Sequence, residues 1–283
     1  MNDTTPLSSW IGRFEEAEDV ASRQVQTRLA AVLDYFEPPW PADQLPPLAH
    51  WFHFVEATAQ SQIGADGHPK RGAFLPPVAL PRRMYAGSRL EFLQPIRLGE
   101  PIKRRSTIKD IQGKSGAAGD MVFVTILHEI STAQGVAITE EQDIVYRSSP
   151  DAGGAPSAPR APKPAPPEPD ARRTTVVDTV MLFRFSALAF TGHRIHYDQT
   201  YATHTEGYPG LLIHGPLIAT LLLDHFLRLH PGATPLSYQF RAKQPLFVYN
   251  PVEACLRRHA TGADLWAPAP DGGVAMQASV TCA

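Results

Sequence analysis

Apolar and polar positions follow two different periods along this chain, and one stretch with neither divides it. The run "SWIGRFEEAEDVASRQVQTRLAAVLDYF" holds good helix formers with Glu and Asp early, and it stops at the prolines of "EPPWP", which predicts a helix. A second helix is expected over "HWFHFVEATAQSQIG", with Gly64 at its C-terminal end. Past the Pro-rich turn "LPPVALPRR" the pattern becomes strand-like. "SRLEFLQPIRL", "EPIKRRSTIKDIQ", "MVFVTILHEIS" and "GVAITEEQDIVYR" are β-rich runs separated by turns, and Thr107, Ile108, Val122, Val124 and Ile126 suit a sheet with one buried face.

The order then repeats. "TVMLFRFSALAF" reads as a strand, a His-rich loop follows, and "PLIATLLLDHFLRLH" predicts an apolar helix. "LSYQFRAKQPLF", "VEACLRRHA" and "GVAMQASVTCA" close the chain as strands. Between the two series lies "SSPDAGGAPSAPRAPKPAPPEPDARR", which has no large apolar side chain to offset its ordering entropy and reads as a semi-rigid connector. The expected organisation is a first domain over 1–147, a linker over 148–175 and a second domain over 176–283. Each domain has helical and antiparallel strand segments, an α+β class.

Charge narrows the function. With 26 basic and 28 acidic residues there is no global electrostatic footprint for nucleic acid. The longest apolar run, after Pro216, is too short to span a bilayer, and the N-terminus has no signal-peptide pattern. Two cysteines in unrelated contexts argue for a reducing compartment and a cytoplasmic protein.

The chemistry concentrates in "FTGHRIHYDQTYATHTEGYPGLLIHGP", Phe190 to Pro216, which holds four of the eleven histidines. Pro216 suits a first helical turn, so the following helix would aim free N–H groups, Gly215's among them, at whatever lies beside His214. Such donors stabilise a developing oxyanion, although Gly215 could equally serve a tight turn. His193 and His196 are three apart, and with Asp198, His204 and His214 they offer ligand types for a metal. No H-E-x-x-H and no paired cysteines accompany them, and no metal is expected. Structural hydrogen bonding of the same imidazoles is the plain alternative.

"RIHYDQTYA" followed by "EGYPGLLIHGPLIATLLL" resembles the MaoC-type, R-specific enoyl-CoA hydratases, with Ile195, His196, Asp198, Tyr201, Ala202, His214 and Gly215 on their signature. "GADGHPKRGAFLPPVALPRRMYAG" and "RRSTIKDI", "VFVTILHEI" and "ITEEQDIVYR" resemble the first half of fused two-domain relatives. Those include the type 2 hydroxyacyl-thioester dehydratases and the itaconyl-CoA or mesaconyl-C4-CoA hydratases. The resemblance implies a double hot-dog fold, in which curved antiparallel sheets each wrap a central helix. It implies reversible hydration of an α,β-unsaturated acyl-CoA, with itaconyl-CoA or mesaconyl-C4-CoA to citramalyl-CoA the favoured pair and a fatty-acid-type 3-hydroxyacyl-thioester dehydratase the alternative. An acyl-CoA thioesterase and a non-catalytic acyl-CoA-binding protein also fit the fold. CoA would enter only as part of the substrate, with no separate cofactor; a homodimer is the assembly left open.

One departure is informative. The family pattern has a catalytic Asp five residues before the catalytic His, and here that position is Thr191; His193 and Arg194 replace an Asn and a Pro. The expected catalytic set is therefore His196 as base, His193 as relay or orienting group, Gly215 as oxyanion donor, Thr191 as a water holder, and Asp198 either orienting His196 or capping the next turn. Arg82, Arg83 and Arg194 are candidates for an acyl carboxylate or a CoA phosphate, with His214 at the same site.

Overall fold

The computed structural model describes residues 7–116, 119–148 and 167–283. The first half contributes β1 (Phe14–Val20), α1 (Arg23–Val32), β2 (Arg82–Phe92), β3 (Pro101–Gly116), β4 (Gly119–Thr132) and β5 (Gly135–Arg147). The second contributes β6 (Ala171–Val176), α2 (Thr179–Leu188), α3 (Gly215–Leu229), β7 (Pro235–Ala242), β8 (Pro251–His259), β9 (Gly262–Pro268) and β10 (Val274–Cys282). All ten strands form one antiparallel sheet in the order β1-β3-β4-β5-β2-β7-β10-β9-β8-β6. Read outward from the β2–β7 junction, the two halves have the same order, so the duplication expected from element order is present in the topology. This is the double hot-dog, an α+β fold. The seam runs from Gly87 opposite Arg241 to Glu91 opposite Ser237. Gly87 is required there, because a Cβ would lie 2.2 Å from the Phe240 carbonyl oxygen.

α3 is the axis of the core. Leu217, Leu221, Leu222 and Leu223 are buried, and they pack with Leu90 of β2 and Leu256 and Leu265 of the second half's strands in one apolar cluster. A helix apolar nearly all round has to be enclosed in this way. Its one buried acid, Asp224, is matched by Arg173 of β6 at 2.7 Å and Arg228 at 2.9 Å. No helix among the described residues is long and apolar enough to cross a membrane.

Three expectations need correction. The long first helix is a strand and a shorter helix: "FEEAEDV" is β1, and α1 begins at Arg23 behind the N-cap Ser22. The reason is tertiary. β1 pairs with the basic run of β3, where Glu16 meets Lys103 at 2.7 Å and Arg105 at 3.1 Å, so cross-strand charge pairing outweighs helix propensity. The expected helix over 50–64 has only short 3-10 turns at Ala49–Phe52 and Gln60–Gln62, because Leu48 and Phe54 take positive φ and break it. Side chains from this segment instead cover the inner face of the first half's sheet. His50 and the Trp51 indole bond to buried Glu140, which also accepts from Ser88 and Tyr85. Finally, "TVMLFRFSALAF" is helix α2, started by the Asp178 carboxylate accepting from Met181 N–H at 2.8 Å. Most of the linker lies outside the described residues, and β6 already occupies 171–176, an edge strand within the stretch assigned to it.

Candidate active site

The His-rich loop leaves α2 at Phe190 and returns to α3 at His214, so both of its ends are fixed by packed helices. Between them Arg194–His196 forms one 3-10 turn and Tyr201–Thr205 a single π-type turn. Ile195, Tyr201 and Leu212 form a small buried cluster that anchors the loop from beneath.

His196 is held by a backbone acceptor. Its Nδ1 lies 2.8 Å from the Leu212 carbonyl oxygen, which can only accept, so Nδ1 carries the hydrogen and Nε2 keeps its lone pair. Burial pushes the imidazole down to about 4, although the Leu212 bond opposes it, and the ring is neutral at pH 7. The His214 ring stacks on it with centroids 3.7 Å apart. His214 Nε2 is 2.8 Å from the Ser186 hydroxyl of α2, and its buried Nδ1 has no partner among the described residues. Burial, followed by the neighbouring imidazoles, drives His214 well below the ordinary histidine range.

His214 is also the N-cap residue of α3, with Pro216 in the first turn. Ile218 N–H bonds the His214 carbonyl, while the N–H groups of Gly215 and Leu217 have no acceptor among the described residues. The stacked imidazole thus stands beside a helix N-terminus with free donors, where negative charge is stabilised.

The first half completes the site. His193 contacts the His196 ring edge-on, with centroids 5.4 Å apart, and the His68 ring on its other side at 4.0 Å. His68 Nδ1 is 3.1 Å from Asp66 Oδ2, and Asp66 Oδ1 accepts from His68 N–H at 3.0 Å. Burial alone would raise the Asp66 carboxyl, but the His68 side-chain and backbone bonds hold it well below the usual carboxylate range. Burial, then His68 and His196, push His193 far down. Gly67 sits at φ +90° against the opposing loop, where a Cβ would lie 1.8 Å from the Gly192 carbonyl oxygen.

The three candidate arginines separate. Arg82 Nε lies 3.0 Å from Glu206 and its guanidinium covers the Tyr208 ring. Arg194 bonds Asp198 through Nε at 3.0 Å and Nη2 at 2.7 Å, and the Ala65 carbonyl through Nη1. Both are paired with carboxylates of the His-rich loop. Arg83 has no ion-pair partner among the described residues. Burial pulls it down from the usual guanidinium range, and Tyr146 and Asp66 oppose this.

For Asp198 the contacts favour the second of its two expected roles, the turn cap. Its oxygens are taken by Arg194 and by Tyr201 N–H at 2.9 Å, so it caps the π-type turn and does not orient His196. Thr191 lies just past α2, its N–H bonding the Ser186 carbonyl. His204 is exposed and bonded locally to Thr203 and the Thr200 carbonyl. Among the described residues no three His, Cys, Asp or Glu side chains converge as metal ligands. Asp66 and His68 escaped the sequence reading, although "GADGH" sets a carboxylate and an imidazole between glycines.

The profile of the hydroxyacyl-thioester dehydratase type 2 family matches residues 48–248, a span that contains every residue of this site. The chain belongs to that family. It is 46% identical over 277 residues to mesaconyl-C(4)-CoA hydratase of Chloroflexus aurantiacus, covering 96% of each chain. Among solved structures it resembles a MaoC-like dehydratase with a TM-score of 0.71 at 16% identity, covering 98% and 99% of the two chains. It also resembles a double hot-dog protein of Mycobacterium tuberculosis with a TM-score of 0.59 at 12% identity, covering 96% of each. These two structural likenesses speak for the fold. In this chain His193 and Arg194 contact the first half's "GADGH".

Proposed function

We propose that this protein is a cytoplasmic hydro-lyase that adds water reversibly to the double bond of mesaconyl-C4-CoA, giving citramalyl-CoA. The observation that carries the reading is the neutral, backbone-tethered His196 stacked beside the free N–H groups at the start of α3. The high similarity to a mesaconyl-C4-CoA hydratase supports the substrate.

Hydration needs a base for water, a stabilised thioester oxygen and a proton for the α-carbon. His196 Nε2 takes a proton from water as the oxygen adds to the β-carbon. The double-bond electrons move onto the thioester oxygen, which meets the N–H groups of Gly215 and Leu217. The proton then returns to the α-carbon through the imidazole cluster. Mesaconyl-C4-CoA carries a carboxylate on the carbon that water attacks, and Arg83, which makes no ion pair among the described residues, receives it. CoA enters as part of the substrate, and no further cofactor is invoked.

The test is a spectrophotometric assay of the purified protein on mesaconyl-, itaconyl- and crotonyl-CoA thioesters. Enoyl absorbance should fall without release of thiol. His196→Ala should lower kcat by on the order of 10²–10⁴. Release of free CoA would mark a thioesterase, and full activity of the variant would overturn the mechanism.

A further inference from the structure

The loop that carries His196 has no carboxylate to serve it. Thr191 stands where a related sequence would have Asp. Asp198 is bound to Arg194, and Glu206 to Arg82. Yet four imidazoles are packed together: His214 on His196, His196 on His193, and His193 on His68. A proton taken by any of them would create a positive charge in a largely water-poor cluster, and such a charge needs a nearby counter-ion.

We propose that Asp66 and His68 of the first half act across the contact between the halves as the carboxylate–imidazole pair for the second half's base. Asp66 makes no ion pair with a guanidinium among the described residues, although it interacts electrostatically with Arg83, and the Arg83 and Arg71 cations face His68, Arg83 facing His193 as well. Its Oδ2 fixes His68 Nδ1 at 3.1 Å, and His68 in turn packs on His193. The two loops are locked in that arrangement. Arg194 N–H bonds the Asp66 carbonyl at 2.9 Å, Arg194 Nη1 bonds the Ala65 carbonyl at 3.0 Å, and Gly67 admits the backbone of Gly192 at a separation no side chain would allow. An Asp and a His two residues apart could form a local turn anywhere. The ring-to-ring contact with His193 and the interlocked backbones tie this pair to the site.

In the proposed step an O–H bond of water breaks as its oxygen bonds the β-carbon, and the proton passes to the imidazole cluster. The alkene pair moves to the thioester oxygen. The imidazolium, balanced by Asp66 through His68, then returns that proton to the α-carbon as the enolate collapses. One water is consumed, and the enzyme ends as it began. Asp66 and His68 are positioning residues, since neither need touch substrate.

This inference rests on the hydration reading, and the variants separate the two. In the full-length protein, Asp66→Asn should lower kcat about a hundredfold while KM changes less than about threefold, as expected for an interaction made in the transition state. It should also move the acidic limb of the kcat–pH profile to lower pH, because the imidazoles lose their counter-ion. His68→Asn should give a similar loss, the double variant should lose little more, and Asp66→Glu should restore part of the rate. Wild-type kcat and pH profile in a folded Asp66→Asn variant would overturn the proposal, as would a lower Tm with an unmoved profile. If Asp66→Asn does not fold, His68→Asn decides by the same two readouts. Inactive His196→Ala beside fully active Asp66→Asn would sink this inference alone, whereas active His196→Ala would sink the hydration reading itself.

Discussion

The rings of His196 and His214 lie face to face, with centroids 3.7 Å apart and planes 23° from parallel. His196 is tethered to the Leu212 carbonyl, and His214, at the start of α3, to Ser186 of α2, so the stack sets the base against the helix donors.

This stack makes stability depend on pH in a definite direction. His196 is held to about 4 and His128, buried in the first half, also to about 4, both chiefly by burial, against about 6.5 for an unfolded histidine. Between those values the unfolded chain binds more protons than the folded one, so stability falls as pH drops from about 6.5 towards 4. His193 and His214 act in the same direction. Thermal melts should therefore show Tm lower at pH 5 than at pH 7, with a smaller difference in His196→Gln. A Tm that stays level across this range would contradict the depressed values. Glu140, held to about 2 against its burial by His50 and Ser88, keeps its stabilising charge throughout the window.

Arg83 should read the acyl group. Losing a buried charge-assisted bond costs about 1.5–3 kcal/mol, so Arg83→Ala should lose roughly ten- to a hundredfold in kcat/KM on mesaconyl-C4-CoA. Crotonyl-CoA, which lacks the carboxylate, should be affected far less. Equal losses on the two substrates would remove carboxylate recognition from this residue. Arg82→Ala should instead act mainly on stability, since its partner is Glu206.

Gly67→Ala should part the two loops. Its new Cβ would overlap the Gly192 carbonyl at 1.8 Å, whereas a Cβ on Gly192 would meet the Gly67 carbonyl at 3.0 Å. Gly67→Ala is expected to cost at least about tenfold in kcat/KM by displacing His68 from His193, and Gly192→Ala less. Parallel circular dichroism and kinetics would check this, and an unimpaired Gly67→Ala would show that the close approach is dispensable.

Much of this molecule was legible without coordinates because it is local. The apolar run after Pro216 reads as a buried helix, the Pro and the His-Gly before it mark its start, and the family resemblance of the loop implies acid–base chemistry at His196. Where a segment's fate depended on a distant partner, reading by period failed. "FEEAEDV" has the composition of a helix start and becomes a strand because the basic run of β3 lies beside it. "TVMLFRFSALAF" has strand composition and becomes a helix whose Phe185 packs on Phe52 of the first half.

The sequence by itself determined the family and the α+β class, and it located the His-rich loop before α3 as the candidate site, since these rest on short-range patterns that survive any packing. Only the tertiary structure decided which charges pair there. Arg194 and the Ala65 carbonyl bond across 129 residues of chain, and that contact carries Asp66 and His68 to the imidazoles of the second half. Periodicity and spacing describe neighbours along the chain, and no local pattern records that Arg82 pairs with Glu206 and Arg194 with Asp198.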